Sequence, residues 1–157
     1  MLALASSSAA TIGGGEHLWR GAFSPPRNVY NQTWEHHAAA FGSLDVAATC
    51  SDYVPDSHII VVDQPSATRS DYHGPAGCTS WFTMLFARLR GVDGKFTTGF
   101  AWADDSAPVV DGNVVFVSWT ASSPSYVYHW ATDTLVMDAD GRFTHHHIFA
   151  NGSALVV

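Results

Sequence analysis

Charge is scarce in this chain of 157 residues: only 13% are charged, against roughly a quarter in an average soluble domain. Basic residues are scarcest. Seven Lys and Arg against fourteen Asp and Glu leave a formal net charge of −7, which excludes the basic footprint of a nucleic-acid-binding protein. No apolar run approaches the ~20 residues of a membrane-spanning helix, so no membrane partner is expected. Cysteine is limited to Cys50 and Cys78, too few for a disulfide framework and without C-x-x-C spacing. They read as buried free thiols, which points to a reducing, cytoplasmic compartment. The nucleophile-elbow, P-loop and dinucleotide-binding fingerprints are all missing, and no cofactor is expected. Apolar side chains are plentiful instead, 46% hydrophobic and 13% aromatic. That composition excludes disorder and predicts one compact domain.

Residues 1–15 are small, Ser/Ala/Gly-rich and uncharged, and Ser24-Pro25-Pro26-Arg27 breaks any early helix. Residues 1–27 read as a flexible tail, with the domain occupying 28–157. Tyr30, Trp34, His37 and Phe41 recur at helical spacing, and Gly42 ends that helix. Ser43 is positioned to cap a second helix over Leu44–Tyr53. The β-branched run His58–Asp63 predicts a first strand, and polar Gln64–His73 predicts a loop. Cys78–Leu89 carries an apolar helical stripe, with Pro75 suited to its start. After Gly91 the pattern changes to strands at Phe96–Ala103, Asn113–Ala121, Tyr126–Met137 and Phe143–Ala150, punctuated by turn residues such as Asp138-Ala139-Asp140-Gly141. Helices first and an antiparallel meander second define an α+β fold with the helices on one sheet face.

Four local motifs stand in the order of a known family: Phe41-Gly42-Ser43-Leu44-Asp45, Tyr53-Val54-Pro55-Asp56-Ser57, His73-Gly74-Pro75-Ala76-Gly77, and the run Ala131–Phe143 with its hairpin. Together they resemble the SnoaL-like polyketide cyclases and ketosteroid isomerases of the nuclear-transport-factor-2-like superfamily. The resemblance covers 28–150. It implies an NTF2-like cone, three N-terminal helices packed on a curved, mostly antiparallel sheet, enclosing an apolar cavity and often forming a dimer through the sheet.

Asp133 is the first candidate catalytic residue. It interrupts an apolar strand, and its place resembles that of the oxyanion-site Asp of the ketosteroid isomerases, where an apolar pocket can keep a carboxyl protonated. His145, His146 and His147 follow on the last strand. A two- or four-residue hairpin loop sets His146 opposite Asp133; a three-residue loop with a glycine bulge at Gly141 sets His147 there instead. His146 is taken as the partner. The isomerases' general base falls near Val61, with Asp63 two residues on as a third candidate. Their phenolic donor is replaced by Glu35, beside Trp34, and the acid of the SnoaL cyclases falls at Ile148. Trp34, Tyr53, His129, Leu135 and Trp119 are the expected cavity wall, His129 because an unbroken strand places it on the face of Asp133. Phe41, Trp81, Phe82, Phe86 and Phe116 are expected in the core.

A metal site is not expected. Adjacent strand residues face opposite ways, so only His145 and His147 share a face, and no third ligand is evident. Adjacent His36 and His37 diverge by about 100° on a helix and cannot chelate together. The expected partner is a lipophilic small molecule handled by proton transfer, as in an isomerase, cyclase, dehydratase or epoxide hydrolase. The alternative is a non-catalytic ligand-binding or dimerisation module.

Overall fold

The computed structural model describes residues 28–64, 66–103 and 108–155. The proposed tail and the turn at Asp104-Asp105-Ser106 lie outside these residues. Asn28 caps the first helix, α1 (Val29–Gly42), by accepting from the Asn31 amide at 2.9 Å, which satisfies one of the free N–H groups of the first turn. Helix α2 is shorter than expected, Val46–Ser51, and its cap is Asp45 rather than Ser43. Ser43 closes α1 instead, its hydroxyl donating to the Ala40 carbonyl.

Tyr53 therefore opens strand β1 (Tyr53–Gln64) and does not end a helix. The expected loop over Gln64–His73 contains β2 (Thr68–His73), hydrogen-bonded antiparallel to β1. Helix α3 runs Gly74–Arg88, four residues ahead of the expected start. Gly74 is required there: its φ is +58°, and a Cβ would stand 2.5 Å from the Pro55 carbonyl oxygen. The expected strand over Phe96–Ala103 is reduced to β3 (Ala101–Trp102), preceded by a single bridge between Arg90 and Phe96. Then come β4 (Val109–Asp111), β5 (Val114–Ser122), β6 (Tyr126–Met137) and β7 (Phe143–Ala154).

These strands form one curved, mostly antiparallel sheet in the order β2-β1-β7-β6-β5-β3, with β4 paired to β5. The meander is interrupted at one junction, because β1 and β7 pair in parallel. The inner face carries Ile59 and Val61, Val115 and Val117, Leu135 and Met137, and Ile148 and Ala150, all buried. Against it packs α3 with Trp81, Phe82, Leu85 and Phe86, each no more than 3% exposed. Truncating any of the buried aromatics to Ala would cost about 3–5 kcal/mol. Phe116 departs from the expected core: alternation turns it to the outer face, where it is 44% exposed.

The cysteines are not free. Cys50 and Cys78 form a disulfide joining α2 to α3. The two helices pack together there, a proximity that sequence spacing does not show. The argument for a reducing compartment therefore falls. Among the described residues, no helix is long and apolar enough to cross a membrane.

Candidate functional site

Two one-residue bulges decide which side chains face the helices. Opposite both neighbours, β6 carries one extra residue at His129. Strand β7 carries one at Thr144, between the pairs Val136–His145 and Met137–Phe143. Each bulge reverses the inward and outward sense of the strand beyond it. Hence Tyr128 and Ala131, three residues apart, are both buried, while His129 is exposed and its Nε2 lies 3.4 Å from Ser153. His129 leaves the expected cavity wall for this reason. The Thr144 bulge turns His146 inward and His145 and His147 outward. The hairpin itself turns at Gly141, with φ +81°, where a Cβ would stand 2.6 Å from Val29.

The resulting register differs from both sequence alternatives. Ile148 is opposite Asp133, and His146 is opposite Leu135. Asp133 and His146 still meet, along the diagonal: Nε2 of His146 lies 3.5 Å from Oδ2 of Asp133. Both side chains are largely buried, at 14% exposure for Asp133 and 3% for His146. Asp133 Oδ1 and His146 Nε2 have no hydrogen-bond partner in the structure. Two unsatisfied polar atoms in an apolar setting are costly, and they are aimed at the same space.

The other nitrogen of His146 is held from β1. Tyr53 Oη lies 2.8 Å from Nδ1. Burial first, then the charges of Asp133 and Asp52, lift the Tyr53 phenol well above its ordinary value, so it stays protonated and donates. His146 Nδ1 must accept, which leaves the proton of the neutral ring on Nε2, toward Asp133.

A second polar group comes from helix α1 and was missed in the sequence. His36 Nδ1 and His37 Nδ1 lie 2.7 and 3.2 Å from the two oxygens of Asp52. The two imidazoles diverge as expected, but one carboxylate at the end of α2 spans both. His36 is exposed and His37 is buried between Tyr53, Phe82 and Phe143. Burial holds His37 below the ordinary imidazole value, and Asp52 pulls the other way. With Nδ1–H donated to Asp52, His37 keeps a lone pair on Nε2. The only sequence signal was the i, i+1 histidine pair on the apolar side of a helix; its acid partner lies 15 residues away.

These groups share one pocket. Helix α1 contributes Trp34, His37 and Phe41, and α3 contributes Phe82 and Leu85. The sheet supplies Val117 and Trp119 from β5, Asp133 and Leu135 from β6, and His146 from β7, with Phe100 and Trp102 completing the wall. Trp34, Leu135 and Trp119 are among the residues lining this pocket. Tyr53 touches the site through His146 without lining the pocket. Asp63 does not line it; it lies at the end of β1, paired with Thr68 and Ala150, and its charge is felt by Arg88 and Tyr128. The pocket encloses about 440 Å³ with the open space at its mouth included, of which about 30 Å³ admits the centre of a water molecule. That is room for roughly two waters, so a larger occupant must displace the half-buried Trp34, Phe41 or Trp102 side chains.

No known protein family and no curated protein matches the chain at significant sequence similarity. Solved structures match it in shape, and the chain has the NTF2-like fold. A steroid delta-isomerase from Pseudomonas aeruginosa superposes with a TM-score of 0.57 at 16% identity, covering 81% of this chain and 83% of that one. A protein of the SnoaL-like family from Agrobacterium tumefaciens gives 0.51 at 16% identity, over 78% and 97%. An NTF2-like protein of unknown function from Burkholderia xenovorans LB400 gives 0.54 at 15%, over 78% and 83%. At these identities the likeness establishes the fold and carries no activity across.

Proposed function

We propose that the pocket binds a lipophilic small molecule and moves a proton on it, in the manner of an isomerase, cyclase, dehydratase or epoxide hydrolase. The observation that supports this is the meeting of two differently tuned polar groups in one apolar space. His37, kept neutral by burial and oriented by Asp52, is suited to accept a proton at Nε2. Across the pocket His146 Nε2–H, its ring fixed by Tyr53, is suited to donate to the oxygen on which charge develops, and the Asp133 carboxylate beside it is suited to take up and return the proton. The apolar lining excludes water and strengthens both interactions. Asp63 is given no part in this reading.

The experiment is a thermal-shift screen against lipophilic ketones, epoxides, polyketides and steroids, followed by turnover assays on the hits. A ligand at 100 times its Kd stabilises the native state by about 2.7 kcal/mol. Hits that are lost in Asp133→Asn and turned over only with His37 intact support the proposal. Ligands that bind but show no proton exchange in deuterated solvent sink the catalytic part.

The outer face favours a second reading, a dimerisation module that uses the sheet. Phe116, Trp130 and Phe149 project there from the neighbouring strands β5, β6 and β7, each between 40% and 47% exposed. Sedimentation that gives a monomer mass at high concentration rules this out.

A further inference from the structure

The edge of that same outer face, away from the pocket, concentrates histidine. Strand β1 lies between β2 and β7. In this register His58 is the direct partner of His73 on one side and of His145 on the other. His147, two residues along β7, faces the same way as His145 and is the partner of Ile60. The His58 and His73 rings are stacked at 4.3 Å between centroids; His58–His145 and His145–His147 stand at 6.4 and 6.3 Å. The third imidazole that the sequence did not supply to His145 and His147 is thus provided by the parallel β1–β7 junction.

His58 is also oriented from behind. Its Nε2 lies 2.8 Å from Oδ1 of Asp71, and Arg69 grips the same carboxylate with Nε at 2.8 Å and Nη2 at 2.6 Å. With two guanidinium bonds donated to it, the Asp71 carboxylate is the acceptor from His58. The His58 proton is then fixed on Nε2, and Nδ1 is the nitrogen left with a lone pair. His145 Nδ1 lies 3.1 Å from the Thr144 hydroxyl, which engages that nitrogen and leaves Nε2. A carboxylate that accepts from the far nitrogen of an imidazole is the usual support of a metal-bound histidine.

We propose that His58, His145 and His147 close on one divalent cation of the zinc class, with Asp71 as the positioning carboxylate. Three neutral imidazoles suit zinc, cobalt, nickel or copper and leave a coordination position open to water. Imidazoles around a tetrahedral ion stand with ring centres roughly 5 Å apart, given metal–nitrogen distances of about 2.0–2.1 Å. In the present rotamers no group of three His, Cys, Asp or Glu side chains among the described residues is arranged to hold a metal ion. The His58–His145 and His145–His147 separations exceed that spacing, so binding requires His145 and His147, both exposed, to change rotamer toward His58. The Arg69 charge is matched by Asp71, and the net charge of −7 favours a cation. Bound metal would tie β1 to β7 across their parallel junction. The proposal is independent of the pocket and of its chemistry.

The test is equilibrium dialysis of the untagged, disulfide-intact chain against zinc at pH near 7.5, with cobalt absorption in the visible as the report of nitrogen ligation. One ion per chain is expected. His58→Ala, His145→Ala or His147→Ala, each checked for folding by circular dichroism, should weaken binding at least tenfold. Asp71→Asn should weaken it about 10- to 100-fold, and His129→Ala should leave it unchanged. Stoichiometry far below one, or affinity unaffected by His147→Ala, overturns the site. Binding lost instead with His146→Ala places the ion in the pocket and overturns it equally.

Discussion

Tyr53 and His146 are 93 residues apart in the chain and 2.8 Å apart at Oη and Nδ1, and that bond sets the protonation of the ring nitrogen facing Asp133. Tyr53→Phe keeps the packed ring and removes only the donor. A buried His146 nitrogen then loses its partner, which costs about 1–3 kcal/mol. Urea unfolding reads this directly. Loss of proton-transfer activity should exceed what the loss of stability explains, because the ring is then free to adopt the other tautomer.

Asp133→Asn should separate function from fold. The replacement is isosteric, and Asp133 Oδ1 has no hydrogen bond to lose. Stability should change by less than about 1 kcal/mol in urea titration, while proton transfer falls about 10²- to 10⁴-fold. A stable variant with full turnover would remove Asp133 from the mechanism.

His37 makes stability depend on pH. Its native value is lowered, chiefly by burial, so the unfolded chain binds a proton near pH ~6.5 before the native chain does. Its contribution is complete above that pH and is lost progressively as pH falls toward the native value. His147, lowered by burial and by its histidine neighbours, acts in the same direction. Unfolding midpoints should therefore fall between pH 7.5 and 5.5, with a shallower slope in His37→Asn. Equal slopes would show that His37 titrates alike in both states.

The Cys50–Cys78 disulfide closes a loop of sequence separation 28, for which chain entropy predicts roughly 3–4 kcal/mol of stabilisation. Differential scanning calorimetry with and without reductant measures it. Because Asp52 follows Cys50 by two residues, reduction should also loosen the carboxylate that holds His36 and His37. An NMR signal of His37 that is unchanged in the Cys50→Ser, Cys78→Ser double variant would show that α2 is fixed without the bridge.

Local chemistry settled a definite part of this protein. Gly42 marked the end of α1, the apolar stripe from Cys78 onward marked α3, and β6 spans the expected Tyr126–Met137. Each signal is carried by neighbours within a few residues, where propensity, capping and turn residues act. The order of the elements then restricts the architecture to a few choices.

Tertiary structure decided the facing of the histidines and the partners of the polar groups. Bulges at His129 and Thr144 have no distinctive local sequence, yet each inverts the strand beyond it, which expels His129 and turns His146 inward. The bond between His37 and Asp52, the disulfide, and the meeting of His58 with His145 arise where segments distant in sequence are brought together. The energy that fixes these contacts is burial summed over the whole core, which residue spacing along the chain does not encode.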